Sequence, residues 1–188
     1  MRLRIVGVAA LLAVSAAAQG LASKFDPRPD ALKMAREAER IVLARCLRSE
    51  PRTVEPGGAI FTFTEFETLD LIKGRLPAKF TLRLFGGTIA GVTVEAEGTP
   101  RFEPGEELLL LLGPDNQAGY PTLGLQSFYR TRRDETGRWT VDEPVYGLTL
   151  LRAGTQDVIP QFSTSYYAPL AVEDLTWSIR QALGQPAE

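Results

Sequence analysis

Polar and apolar residues alternate most clearly at residues 59–72, AIFTFTEFETLDLI, where aromatic, β-branched and threonine residues dominate. This predicts a strand. Phe61 and Phe63 share one side, Phe66 takes the other, and Leu69 and Leu71 return to the first, so a bulge is expected at residues 64–67. Residues 80–85, FTLRLF, place Phe80, Leu82 and Leu84 on one side and Arg83 on the other. A second apolar run at 41–47 predicts the first strand, and the proline- and glycine-rich stretch 49–58 a loop. Residues 89–94 form a weaker strand with Gly91 inside. Residues 107–112 are apolar almost throughout and suit a central strand buried on both sides. Gly113, Pro114, Asp115 and Asn116 close it. Strands are further expected at 123–131 and 139–141, joined by a turn at 133–138, with a loop over 142–169 and a short strand at 148–151. Helical periodicity appears twice. Asp30 caps a helix over 31–40, with Leu32, Met34, Ala35 and Ala38 inward. Val172, Leu175, Ile179 and Leu183 define a second helix, ended by Gly184 and Pro186.

The start of the chain has a different pattern. Arg2 and Arg4 precede an apolar run at 5–14 and the small residues Ser15, Ala16, Ala17 and Ala18. This is the pattern of a secretory signal peptide, with cleavage expected after Ala18. The run is about ten to fourteen residues, short of the roughly twenty of a membrane span. Cleavage takes two of the 21 basic residues and leaves 19 against 23 acidic ones, a net charge of −4. With lysine and arginine scattered, no basic face for nucleic acid is expected. The densest cluster, Arg130, Arg132 and Arg133, runs into Asp134 and Glu135 and reads as a strand end. The expected location is secreted or periplasmic, with no membrane insertion after cleavage.

Composition narrows the chemistry. The chain of 188 residues has no histidine and one cysteine, Cys46. Triads that rely on histidine, zinc sites built on it and an internal disulfide are excluded within this chain. Acid–base work would fall to carboxylates, lysine or tyrosine. Cys46, inside the run at 41–47, reads as a buried structural thiol. No cofactor and no metal site are expected.

Four segments carry a resemblance: the strand entry at 39–47, TFTEFETLDLIKG at 62–74, the FGG turn after FTLRLF, and FEPGEELLLLLG at 102–113. Together they resemble uncharacterised secreted bacterial β-rich proteins. They also resemble the OB-type barrel of netrin-like domains and tissue inhibitors of metalloproteinases. The resemblance spans residues 38–113. It implies a mainly β (α+β) fold, a single OB-like β-barrel with a helix near the N-terminus and a C-terminal helix. That domain would occupy residues 30–184, after a signal peptide (1–18) and a flexible leader (19–29), with a tail at 185–188. The inhibitors use an N-terminal cysteine to chelate zinc. This chain, starting at Gln19 or Ser23 after cleavage, has neither that cysteine nor their disulfides.

Candidate sites follow from the residue types. Glu65 and Glu67, two apart on a strand, point to one side and would serve as a carboxylate pair or cation ligands, or else as a solvated strand face. Glu103, Glu106 and Glu107 flank a turn. Asp115 and Asn116 have oxygens for calcium but sit in a turn without the alternating ligands of a known calcium loop. Gly86, Gly87 and Thr88 suggest a phosphate cradle without the lysine or helix of one, and so a backbone bend. Tyr166 and Tyr167, in the run 163–167, suit a contact surface. Trp139 and Trp177 read as core anchors. The leading expectation is an exported, non-catalytic binding module whose partner is another exported protein or an envelope component. The alternatives are a carboxylate-dependent glycan hydrolase using Glu65 or Glu67, and an inhibitor of an exported protease.

Overall fold

The computed structural model describes residues 30–55, 57–141, 143, 145–160 and 169–185. The signal peptide, the leader, Tyr166 and Tyr167, and residues 186–188 of the expected tail lie outside the described residues. Helix α1 is Ala31–Glu37; the Asp30 carboxylate caps it by accepting from the Lys33 backbone N–H at 2.8 Å. It ends three residues short of the expected boundary because Arg40 already belongs to β1 (Arg40–Val54), opposite Leu112.

Strand β1 pairs antiparallel with β2 (Ala59–Lys73) from Ile41 through to Val54. The loop expected from residue 49 therefore begins only after Val54. Beyond Arg45, β1 has a strand neighbour on one side only, and such an edge tolerates the missing N–H of Pro51. The bulge expected at 64–67 is displaced. The register leaves Leu47 unpaired on β1, and Leu69 and Ile72 unpaired on β2. Phe66 and Thr64 are thus buried on one face, with Glu65 and Glu67 on the other. Past Leu69 the parity changes and Ile72 joins the helix-side core.

Strands β3 (Lys79–Phe85), β6 (Glu107–Asp115), β7 (Pro121–Arg133), β8 (Trp139–Val141) and β9 (Leu170–Ala171) complete a seven-stranded sheet in the order β3-β2-β1-β6-β7-β8-β9. Residues 89–94 do not form one strand. Ala90 and Gly91, both at positive φ, make the turn of a small hairpin of β4 (Gly87–Ile89) and β5 (Val92–Val94). The expected strand at 148–151 is reduced to a bridge between Leu151 and Val158. Helix α2 is Val172–Ala182.

Two cores flank the sheet, and β6 serves both, as its apolar run requires. Leu109 and Leu111 join Ile41, Tyr129 and the helix residues Ala31, Ala35, Leu175 and Ile179. Leu108, Leu110 and Leu112 join Val42, Cys46, Phe66, Phe80, Leu82 and Phe102 inside the curl of β1, β2, β3, β6 and β7.

The molecule is mainly β, with a helix at each end of the sheet-forming segment. The expected closure into a barrel is not made by paired strands. β3 and β7 approach each other, but each edge strand, β3 and β9, has one paired neighbour. The end of β7 (Thr131, Arg132, Arg133) is drawn into pairing with β8, which extends the sheet under α2 instead of turning it back onto β3.

Candidate functional site

Glu65 and Glu67 lie side by side on the outer face of β2, as their spacing predicts, and both are engaged across strands. Arg48 donates through Nε to Glu65 at 2.7 Å. The Arg45 guanidinium lies 3.5 Å from Glu67 and donates twice to Glu107 of β6, at 2.7 and 3.1 Å. Glu107 is buried, and its hydrogen bond and charge raise the pKa of Arg45. Beyond Arg48, Arg52 donates to Glu50 at 2.7 Å; that bond, then the charge of Arg48, holds the Glu50 carboxyl below its ordinary value. The acidic side chains here are acceptors in a ladder of ion pairs.

The same face changes character toward the β1–β2 turn. Phe61 meets Phe85 of β3 edge-on, with centroids 5.4 Å apart, and the Arg83 guanidinium carbon lies over the Phe61 ring at 3.9 Å. Phe63 meets Tyr120 at 5.7 Å, with Arg52 over its ring at 5.4 Å. Phe85 is 45% exposed. Arg83 has no carboxylate partner among the described residues. The alternation at 59–72 puts Phe61 and Phe63 on one side without saying which side that is. Their outward place follows only once Phe66 and Thr64 are seen inside; the arginines at 52 and 83 were the available signal.

On the inner side of the same strands lies a cleft of about 160 Å³. Its lining includes Ser49, Thr62 and Thr64, with Glu95 and Arg101 at the rim. The sequence reading missed it, because its walls come from four separate segments. Glu65 and Glu67 do not line it.

The other candidates resolve into structural parts. The Gly86–Gly87 pair is a bend at positive φ: a Cβ on Gly87 would lie 2.8 Å from Pro51 and from the Thr62 hydroxyl. The Glu106 carboxylate accepts from the Glu103 backbone N–H at 2.8 Å and pairs with Arg130, pinning the turn. Asp115 pairs with Arg40 at 2.7 Å, and Asn116 accepts from the N–H groups of Ala118 and Tyr120. Asp134 accepts from Thr136 and Arg138 in the expected hairpin turn, and the Thr136 hydroxyl contributes most to lowering its pKa. Cys46 is buried, and burial, then the charges of Glu106 and Glu103, push its thiol up to about 11. Trp139 is half-buried beside Arg133, and Trp177 is half-buried on α2.

Among the described residues no group of three acidic, cysteine or histidine side chains is placed to hold a metal ion, and no helix is long and apolar enough to cross a membrane. No protein family, curated protein or solved structure matches this chain.

Proposed function

We propose that the chain is an exported, non-catalytic binding module with an OB-like core, and that the outer face of β2 and β3 contacts another exported protein or an envelope component. The observation that carries this reading is the division of that face. Its carboxylates are consumed by neighbouring arginines, while Phe61, Phe85, Tyr120 and Arg83 stand ready on one side. Aromatic residues and arginine are the types that concentrate binding energy at interfaces. The strand order β3-β2-β1-β6-β7, with β3 brought near β7 around one core, supports the OB-like reading. That architecture uses the face of its second and third strands for ligands.

The test is capture of exported proteins of the source organism by the full chain and by a Phe61→Ala/Phe85→Ala variant. A stoichiometric partner held by the parent and lost by the variant is the expected result. A partner held equally by both moves the contact elsewhere. Recovery of nothing above background overturns the reading.

A further inference from the structure

The inner wall of the curl changes its chemistry along β1 and β2. Around Cys46 and Phe66 it is wholly apolar. Toward the β1–β2 turn the inward positions are Ser49, Thr64 and Thr62 instead. Thr64 is fully buried, and a hydroxyl withdrawn from water needs a partner. The Ser49 and Thr64 hydroxyls bond each other at 3.0 Å. One O–H serves that bond, and of the two residues only Ser49 is partly exposed to the cleft, where its oxygen keeps acceptor capacity. Thr62 donates to the Gly86 carbonyl at 2.7 Å and keeps its lone pairs. Across the cleft, Glu95 and Arg101 pair with each other. They offer a carboxylate acceptor and guanidinium donors with no net charge between them.

We infer that this cleft, walled by the hydroxyls of Ser49 and Thr62 over the buried Thr64 and rimmed by Glu95 and Arg101, binds one neutral polyhydroxylated ring, a single sugar unit. The hydroxyl wall matches vicinal hydroxyls that both donate and accept, and the neutral ion pair favours an uncharged ligand. The volume, about 160 Å³, equals that of about five waters and is well short of the roughly 300–1,000 Å³ of sites for larger ligands. One ring fits and a longer ligand would run out into solvent. The walls are held in advance. Arg130 donates to the Arg101 carbonyl at 2.9 Å, the next residue, Phe102, is anchored in the core, and the hairpin packs so closely that a Cβ on Gly86 would lie 2.6 Å from the Val94 carbonyl oxygen. A site formed before binding loses less entropy to ordering. The cleft lies on the opposite side of β2 from the proposed docking face, and its test is independent of that reading.

Amide ¹H–¹⁵N spectra of the full chain, titrated with D-glucose, D-galactose, D-mannose and N-acetyl-D-glucosamine at millimolar concentrations, test the assignment. Saturable shifts at Ser49, Thr62, Thr64, Gly86 and Arg101 with at least one of these are expected. Ser49→Ala and Glu95→Gln should each weaken that binding about tenfold, the loss of one hydrogen-bond partner. Glu95→Gln, on the exposed rim, carries the test if Ser49→Ala fails to fold. Cellotetraose and chitotetraose separate the two sources of the ring: tighter binding than the matching monosaccharide indicates a glycan chain end, equal binding a free sugar. Absence of saturable shifts with all four monosaccharides overturns the assignment. So do the same shifts with cyclohexanol, or unchanged affinity in both variants.

Discussion

The two ends of the outer face of β2 sit on one strand, a few residues apart, and use their side chains in opposite ways. At the Glu65–Glu67 end each carboxylate has an arginine: Arg48 for Glu65, and Arg45 shared between Glu67 and Glu107. At the Phe61–Phe63 end the rings are partly exposed, and Arg83 rests on Phe61 with no carboxylate partner among the described residues. Ion pairs formed within the sheet have little left to offer a partner. Aromatic rings on an open sheet face do not satisfy themselves in this way, because their remaining apolar surface stays in water. The paired end reads as structure and the aromatic end as surface available for recognition.

Substitutions along β2 and its neighbours break or sharpen that contrast. The largest effect belongs beneath the paired end. Phe66, fully buried and stacked on Phe80, should lose about 3–5 kcal/mol of stability on truncation to alanine, read from denaturant unfolding. A small loss would mean that the inner core does not depend on it. Next, Phe85→Ala should weaken partner binding by about 2 kcal/mol or more, roughly thirtyfold, with little change in unfolding midpoint. The reverse result, a destabilised fold with binding intact, would make the aromatic end structural too.

Cys46, paired opposite Phe66, reports on whether the paired end opens. With its thiol pushed up to about 11 by burial, alkylation at pH 8 should be negligible in the folded chain and rapid in denaturant. Fast labelling of the folded chain would mean that a cleft exists under Glu65 and Glu67. A smaller effect is expected from Glu65→Gln, about 0.2–1 kcal/mol and reduced by salt, measured in a double-mutant cycle with Arg48→Ala. The smallest is a pH effect at Glu50. Its carboxyl is held low in the fold, so its contribution to stability is full above the ordinary value of 4.5 and is lost as pH falls through the lower folded value. Glu50→Gln should flatten the acid limb of the stability profile slightly, and an unchanged limb would show that Arg52 and Arg48 do not hold this carboxylate.

The sequence alone determined the mainly β character, the Asp30 cap, the two-sided burial of β6, the hairpin turn at Asp134 and the buried state of Cys46. These are local matters: side-chain period, capping oxygens and turn residues act within a few positions. Only the tertiary structure decided where the parity of β2 changes, because bulges at Leu47, Leu69 and Ile72 are set by the register with a partner strand. It also decided that β1 runs through Pro51, since the pairing comes from residues 59–73, and that the paired sheet stays open. The candidate site divides the same way. That Glu65 and Glu67 share a face was legible in their spacing. That arginines from β1 occupy them, that Phe61 and Phe63 face outward, and that Ser49, Thr62 and Thr64 meet Glu95 and Arg101 around one cleft was not. Those meetings depend on chain closure over tens of residues, and a one-dimensional pattern fixes which residues alternate without saying what stands opposite.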